Sequence, residues 1–312
     1  MHPQHTLILL GALTAFASQF PAADAQSARL DLSQGIPIVH VRIDGKGPFL
    51  FVVDTGTSCE AIVSPRLARR LGLSPNGQTR ITDLGGRATH TLDEVSLETV
   101  SLAGTEFHSV RAVVTDLPDG DAVFDGILGF RLFRGRLLTL DYPHHKLLLG
   151  DGVLAGSRSP DVLPMRMAGG IPMVDLAAGD TTIRAAVDSG GLGLSVPAAV
   201  ARTLKFSGGR ETVALGKTQV SDFPLTGGVL AGSIGLDGHR FERPFVEVNP
   251  VFPIANLGSR AMVDFAVTFD QRSRLVQFAS QRSVHRIAKP GRPGAPPEQE
   301  LIGVVYVKQT YN

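Results

Sequence analysis

The stretch LFVVDTGTSC, residues 50–59, leads an apolar strand directly into an aspartate and then breaks at Thr-Gly. Asp, Thr and Gly are common turn residues, so an ordinary turn accounts for the stretch when it is taken alone. A carboxylate at the end of a buried strand is also suited to catalysis, provided that the chain supplies it with a partner. The fold and the function therefore depend on whether Asp54 has a counterpart elsewhere in the sequence.

Residues 170–190 repeat the pattern of residues 35–56. Both segments begin with Gly-Ile-Pro, pass through a turn that contains Gly and Asp, and end in an apolar strand followed by Asp-Thr-Gly or Asp-Ser-Gly. The first Gly and the Asp are 19 residues apart in one copy and 18 in the other. Residues 36–53 of the first copy predict a β-hairpin. Asp188 is therefore the counterpart of Asp54.

Further landmarks follow each Asp in the same order. Helix-like segments begin near a proline at residues 64–71 and 196–204, and Leu-Gly pairs come later at 128–129 and 257–258. Each Leu-Gly pair precedes a strand that ends in an Asp 12 residues after the Gly. The shared order and spacing indicate an internal duplication with copies of about 120 residues. It predicts two similar β-rich lobes rather than a solenoid, which would need more copies.

Composition narrows the class of protein and of partner. The chain has 312 residues, a formal net charge of +1 and 43% hydrophobic residues, enough for one large domain or two modest ones. This balance offers no basic surface for nucleic acid and no polybasic patch for a membrane. With 35 Gly, 20 Pro and no Trp, short strands and turns are expected. The absence of HExxH, GxSxG and P-loop patterns disfavours metalloprotease, serine hydrolase and nucleotide-binding functions.

The two ends of the chain are predicted to lie outside the lobes. Residues 7–18 are apolar but short for a bilayer span, and residues 23–25 (Ala-Asp-Ala) are typical of a signal-peptide cleavage site. Export to the periplasm or the exterior, without stable membrane insertion, is therefore expected, and an uncleaved anchor is the alternative. Residues 287–300 are rich in Pro and Gly, as flexible connectors are. The predicted units are a signal peptide (1–25), two lobes (26–155 and 156–282) and a connector with a tail (283–312).

A pseudo-twofold arrangement of the lobes would bring Asp54 and Asp188 face to face. Two carboxyl groups about 3 Å apart cannot both ionise at moderate pH, so the pair would hold one proton and act as a unit. The ionised member can take a proton from a water while the protonated member donates a hydrogen bond to a substrate carbonyl. This is general acid–base hydrolysis of an amide, and the scheme needs no cofactor and no metal.

The neighbours of the two aspartates have expected roles in this scheme. Gly56 and Gly190 would allow a tight loop and a close approach of the backbone to the carboxyl groups. The hydroxyls of Thr55 and Ser189 can form hydrogen bonds across the interface between the lobes and lock the loops together.

The second copy departs from the first at two positions. Gly191 stands where the first copy has Thr57, so a hydroxyl that would bond the second carboxylate is missing. Asn256 replaces the first apolar residue of the Leu-Gly motif and puts an amide where packing is expected. These changes disfavour an efficient, symmetric pair.

These features resemble the pepsin and retropepsin clan of aspartic proteases over most of the chain after residue 25. Asp54-Thr55-Gly56-Thr57 is similar to the family's D-T-G-[ST] signature and Ile127-Leu128-Gly129 to its hydrophobic-hydrophobic-Gly motif, and the second set is Asp188-Ser189-Gly190 with Leu257-Gly258. Its short lobes make the chain look more like bacterial retropepsin-like proteins, with two units fused. The resemblance implies an all-β, bilobal acid-protease-like fold of two duplicated β-barrel lobes with short helices. It also implies an aspartic endopeptidase, expected to be a monomer, that binds extended peptides or proteins in a cleft.

The resemblance further implies β-hairpin flaps over the cleft. The candidates are residues 81–91, with Gly85 and Gly86 at the tip, and residues 212–218. Neither has the tyrosine of pepsin-like flaps, and an ordinary surface hairpin is the alternative for both.

The remaining polar residues are expected to have structural roles. Cys59 is the only cysteine, so no intramolecular disulfide forms, and a small buried residue is favoured over a reactive thiol. Asp141, Asp270 and Asp125 are expected to form local turn bonds, and residues 144–145 (His-His) a solvated pair. The main alternative function is an exported peptide-binding protein that keeps the architecture without turnover. A generic exported β-domain without cleft chemistry is a third possibility.

Overall fold

The computed structural model describes residues 26–82, 89–117, 124–156, 161–217 and 222–290. The predicted signal peptide (1–25), the flap tip at Gly85 and Gly86 and the end of the tail (291–312) lie outside these ranges. The strands of the first part of the chain are β1 (Gln26–Arg29), β2 (Ile38–Ile43), β3 (Lys46–Asp54), β4 (Ala61–Val63), β5 (Gly77–Thr82), β6 (Thr89–Leu102), β7 (Thr105–Val114), β8 (Gly126–Gly129), β9 (Leu137–Asp141) and β10 (Lys146–Gly150).

The second part of the chain is also built mainly of strands, and helices are short throughout. Its strands are β11 (Val162–Pro164), β12 (Arg166–Ala168), β13 (Ile171–Ala178), β14 (Thr181–Asp188), β15 (Leu194–Pro197), β16 (Glu211–Lys217), β17 (Asp222–Val229), β18 (Ser233–Leu236), β19 (His239–Glu242), β20 (Phe245–Asn249), β21 (Ala255–Gly258), β22 (Ala266–Asp270), β23 (Leu275–Ala279) and β24 (Val284–His285). The helices are α1 (Pro65–Leu71), α2 (Ala198–Ala201), α3 (Ser259–Met262) and the 3₁₀ helix Phe130–Phe133. Among these residues no helix has the length and apolar character needed to cross a bilayer.

The two lobes have the same strand order. The first-lobe sheet runs β2-β3-β8-β4-β7-β6-β5, and the second-lobe sheet contains β13-β14-β21-β15-β20-β17-β16, so each strand has its counterpart at the same place. The second lobe adds β12, β18, β19 and β24. The predicted all-β, bilobal and duplicated fold is therefore confirmed.

A third sheet joins the lobes. Among the described residues its order is β1-β10-β9-β22-β23-β11, with strands of the first lobe on one side and of the second on the other. At its centre β9 pairs antiparallel with β22, and Thr139 lies opposite Thr268 with the two hydroxyl oxygens 2.8 Å apart. This threonine pair marks the pseudo-twofold axis that relates the lobes.

Local sequence signals account for the elements around the first aspartate. The β2–β3 hairpin turns at Asp44 and Gly45, which both have positive φ (50° and 73°), as a two-residue type I′ turn requires. Helix α1 begins after Ser64, whose hydroxyl accepts a hydrogen bond from the Leu67 N–H at 3.1 Å, and ends at Gly72 with φ 73°. The hairpin and helix predicted there are confirmed.

Asp125 ties distant parts of the first lobe together, so the prediction of a local turn bond is wrong. Its carboxylate accepts a hydrogen bond from the Leu50 N–H at 3.0 Å and forms an ion pair with Arg66 at 3.0 Å. These contacts join β3 and α1 at the start of β8. Asp141 and Asp270 do bond turn residues, as predicted, through the His144 N–H and the Arg272 and Ser273 N–H groups.

Hairpins occupy both flap-candidate regions. Strands β5 and β6 pair antiparallel up to Thr82 opposite Thr89, and β16 pairs with β17 up to Lys217 opposite Asp222. The tips of both hairpins lie outside the described residues. The region after residue 283 is not entirely a connector, because β24 pairs in parallel with β19 and buries His285.

Candidate active site

Asp54 and Asp188 lie at equivalent ends of equivalent strands. Asp54 ends β3 beside Gly129 of β8, and Asp188 ends β14 beside Gly258 of β21, both in parallel pairings. The residues that precede the aspartates, Val53 in one lobe and Val187 in the other, are fully buried, and the two aspartates are 1% and 0% exposed. The floor beneath both carboxyl groups is therefore apolar.

The two aspartate loops are held together by a reciprocal set of four hydrogen bonds. Thr55 Oγ1 donates to the Val187 carbonyl at 2.6 Å and accepts from the Ser189 N–H at 3.0 Å. Ser189 Oγ donates to the Val53 carbonyl at 2.6 Å and accepts from the Thr55 N–H at 3.0 Å. The expected lock across the lobe interface is therefore observed.

Each loop glycine lies against the carboxyl group of the opposite lobe. A Cβ atom on Gly56 would lie 2.5 Å from Cγ of Asp188, and one on Gly190 would lie 2.4 Å from Cγ of Asp54. Neither glycine has a φ in the left-handed region, so the turn conformation does not require glycine. The close approach of the opposite carboxyl group does require it, because any side chain would clash. This crossed packing brings the two carboxyl groups together at the lobe junction.

Burial raises the pKa of both carboxyl groups, and the charge of Asp188 adds to this effect at Asp54. For Asp54, desolvation raises the pKa most, the charge of Asp188 raises it further, and the Thr57 hydrogen bond lowers it in part. For Asp188, desolvation again dominates, and hydrogen bonds from Asp54 and from neighbouring N–H groups oppose it. Each carboxyl group therefore affects the protonation of the other, and such a pair titrates as one unit.

The two carboxyl groups differ in their other donors. Asp54 accepts from the Gly56 N–H at 2.7 Å and from the Thr57 hydroxyl at 2.7 Å, one donor for each oxygen. Asp188 accepts from the Gly190 and Gly191 N–H groups on Oδ1, both at 3.0 Å, and its buried Oδ2 has no well-aligned hydrogen bond. The asymmetry expected from the Gly191 position is therefore present.

Comparison with known proteins finds a family match in the first lobe and a similar fold over most of the chain. A family model described as "Aspartyl protease" matches residues 39–132, which include the Asp54 loop and Gly129. The crystal structure of an aspartic proteinase from Irpex lacteus superposes with a TM-score of 0.55 at 13% identity, covering 83% of this chain and 98% of that one. In its motifs and its fold, the chain is similar to pepsin/retropepsin-like aspartic proteases. No curated protein matches it in sequence.

The second aspartate loop has a support beneath it that the sequence did not reveal. Ser259 Oγ donates to the Ser189 carbonyl at 2.7 Å, and Tyr142 Oη lies 3.0 Å from Ser259 Oγ. Because the serine proton is already used, Tyr142 must donate to Ser259. The sequence gives one indication of this support: directly after the Leu-Gly pair, the second copy has the polar Ser259 where the first copy has the apolar Phe130.

The other polar residues singled out in the sequence do not join the pair. Cys59 is 2% exposed, and burial with the nearby Asp54 charge raises the pKa of its thiol, as fits a small buried residue. His144 is exposed and pairs with Asp141 at 2.8 Å in a turn. Within the described ranges, no group of three or more His, Cys, Asp or Glu side chains is arranged to hold a metal ion.

Proposed function

We propose that the protein is an aspartic endopeptidase that hydrolyses peptide bonds through a water activated by Asp54 and Asp188. The observation that carries the proposal is the crossed packing, in which each carboxyl group lies against the glycine of the other loop. It supports a shared site built from both lobes of one chain, so a monomer suffices. Peptides or proteins in an extended conformation are the proposed substrates.

The proposed reaction divides two roles between the carboxyl groups. The ionised member removes a proton from the water, whose oxygen attacks the peptide carbonyl carbon, while the protonated member donates its proton to the carbonyl oxygen. A tetrahedral diol forms. The carboxyl group that took the proton from water then donates it to the amide nitrogen, while the other carboxylate takes a proton from a diol hydroxyl; the C–N bond breaks and releases an acid and an amine. The pair ends with one proton, as it began.

The buried surroundings support these roles. Val53 and Val187 keep the floor of the site apolar, so the pair stays singly protonated above the pH at which an exposed aspartate would ionise. The hydroxyls of Thr55 and Ser189 hold both loops, so neither carboxyl group needs to reorganise during the reaction.

A peptide-binding protein without turnover is the second candidate. It is favoured by the second loop, where Gly191 supplies no hydroxyl and Oδ2 of Asp188 has no well-aligned hydrogen bond. Export of the chain from residue 26 onward remains a proposal, supported by the apolar segment 7–18 and the Ala-Asp-Ala site.

The test is digestion of an unfolded protein such as casein by the purified chain between pH 3 and 8, followed by mass spectrometry of the fragments. Internal cleavage that pepstatin inhibits is the expected result. If no fragment appears at any pH while the protein binds peptides, and Asp54→Asn binds them unchanged, the binding function is correct and the enzymatic one is wrong.

A further inference from the structure

The aspartate turns of the two lobes have the same backbone but different side-chain donors. The Thr57 N–H donates to the Asp54 carbonyl at 3.2 Å, and the Gly191 N–H donates to the Asp188 carbonyl at 3.3 Å. In the first lobe the Thr57 hydroxyl then reaches Oδ2 of its aspartate at 2.7 Å. Position 191 has no side chain for this purpose, although its φ is not one that requires glycine.

The space beside Gly191 is filled by an amide. A Cβ atom built on Gly191 would lie 2.3 Å from Nδ2 of Asn256, and the same point lies 3.0 Å from Oδ2 of Asp188. The amide nitrogen thus occupies the position of the threonine side chain in the first lobe. A side chain at position 191 and the amide at position 256 exclude each other.

The strand register explains how Asn256 reaches this place. Asn256 lies beside Ala186 in the β14–β21 pairing, as Ile127 lies beside Val52 in the β3–β8 pairing. Ile127 packs in an apolar cluster of the first lobe. Asn256 instead turns a polar group to the carboxyl group at the end of the neighbouring strand.

Packing alone does not account for an amide at this position. The Oδ1 atom of Asn256 is buried without a hydrogen-bond partner, which is unfavourable for folding, and an apolar residue such as Ile127 would avoid this. The opposite orientation of the amide would bring its oxygen against the Asp188 oxygens. Contact with the Asn256 amide also lowers the pKa of Asp188, as a donor to the ionised form must.

We propose that Asn256 is the positioning residue of Asp188: its amide replaces the Thr57 hydroxyl as the side-chain donor to the carboxyl group, and the lack of a side chain at Gly191 leaves the space that the amide occupies. The inference rests on the proposed aspartic-protease function. The two departures of the second lobe then compensate each other. Gly191 replaces Thr57 and loses a donor, and Asn256 replaces Ile127 and supplies one.

The exchange is tested by restoring the first-lobe pair. Asn256→Leu removes the donor and is expected to move the acid limb of the pH profile of kcat/KM upward by about one pH unit. Gly191→Thr alone is expected to lower kcat/KM at least tenfold, because its Cβ cannot lie 2.3 Å from Nδ2. The double variant Gly191→Thr/Asn256→Ile is expected to recover most of this loss and to return the acid limb towards its original position.

The control variant removes a different amide of the second lobe. Asn249→Leu removes another second-lobe amide, whose oxygen accepts from the Phe252 N–H, and should leave the acid limb in place. An acid limb that does not move in Asn256→Leu, or a double variant no more active than Gly191→Thr, would overturn the proposal. Circular dichroism of each variant separates these results from misfolding.

A second measurement keeps this proposal separate from the proposed function. Carboxyl ¹³C shifts of aspartate-labelled protein report the titration of the pair whether or not the protein cleaves peptides. The lower apparent pKa of the pair is expected to rise in Asn256→Leu and to fall again in the double variant. If the unmodified protein is inactive but this shift occurs, the proposed function is wrong and the positioning role stands. If the pKa is unchanged, the positioning role is wrong.

Discussion

Removal of the hydroxyls that lock the two loops should destabilise the protein far more than removal of a matched hydroxyl pair elsewhere. Thr55→Val keeps the side-chain shape but leaves the Val187 carbonyl and the Ser189 N–H without their partner. Both groups are buried in the interface, and each unsatisfied buried group costs about 1–3 kcal/mol. The expected loss is therefore about 2–6 kcal/mol, a large part of the roughly 5–15 kcal/mol that stabilises a typical domain.

The matched control is the pair on the pseudo-twofold axis. Thr139 and Thr268 are buried to a similar extent, and their hydroxyls bond each other across the β9–β22 pairing. Replacing both by Val removes donor and acceptor together and leaves neither hydroxyl unsatisfied, so the change should be close to neutral.

Urea unfolding followed by circular dichroism measures both effects, with thermal unfolding as a second observable. A loss of about 2 kcal/mol corresponds to a decrease in Tm of roughly 3–4 °C for a chain of this size. Ser189→Ala removes the other hydroxyl of the lock and should have an effect of the same order. If Thr55→Val changes stability no more than the Thr139→Val/Thr268→Val double variant, the lock does not hold the lobes together and the reasoning fails.

Three further predictions concern the carboxyl pair and its surroundings. Gly190→Ala should abolish cleavage, because its Cβ would lie 2.4 Å from Cγ of Asp54, while Gly209→Ala, with open space around it, should not; equal activities would contradict this. Asp54→Asn should raise Tm at neutral pH and lose this advantage in acid, because a raised carboxyl pKa means that stability falls as pH rises from the unfolded pKa through the folded one. A Tm difference that is constant with pH would refute that sign. Cys59 should react with thiol reagents only after unfolding, and labelling of the native protein at the rate of a free thiol would contradict its burial.

The sequence predicted those parts of the fold that depend on local patterns. The hairpin turn at residues 44–45 and the helix between Ser64 and Gly72 follow from residues whose backbone preferences are strong on their own. Because these landmarks recur in the second copy, the duplication and the facing of Asp54 and Asp188 could be inferred together.

Contacts between distant segments could not be predicted in this way. In the sheet that joins the lobes, Thr139 of β9 lies opposite Thr268 of β22. The alternation of apolar and polar residues in either strand does not indicate which strand it pairs with. Asp125 similarly resembles a turn residue in the sequence, because its partners Leu50 and Arg66 are distant along the chain and become neighbours only in the folded lobe.

The second aspartate loop shows the same limit at the candidate site. Taken separately, Gly191 and Asn256 are a missing hydroxyl and a misplaced amide. Their complementarity becomes visible only when β21 lies beside β14 and the amide occupies the space next to Gly191. The support from Tyr142 through Ser259 also depends on a contact between two lobes.

The most direct test of the central claim is the peptide-cleavage rate of three single Asp→Asn variants at the pH optimum of the unmodified protein. Asp54→Asn and Asp188→Asn should each lose essentially all activity, since either change removes the shared proton or its acceptor. Asp141→Asn, a turn aspartate that pairs with His144, should retain it. Substantial cleavage by either of the first two variants would contradict the account.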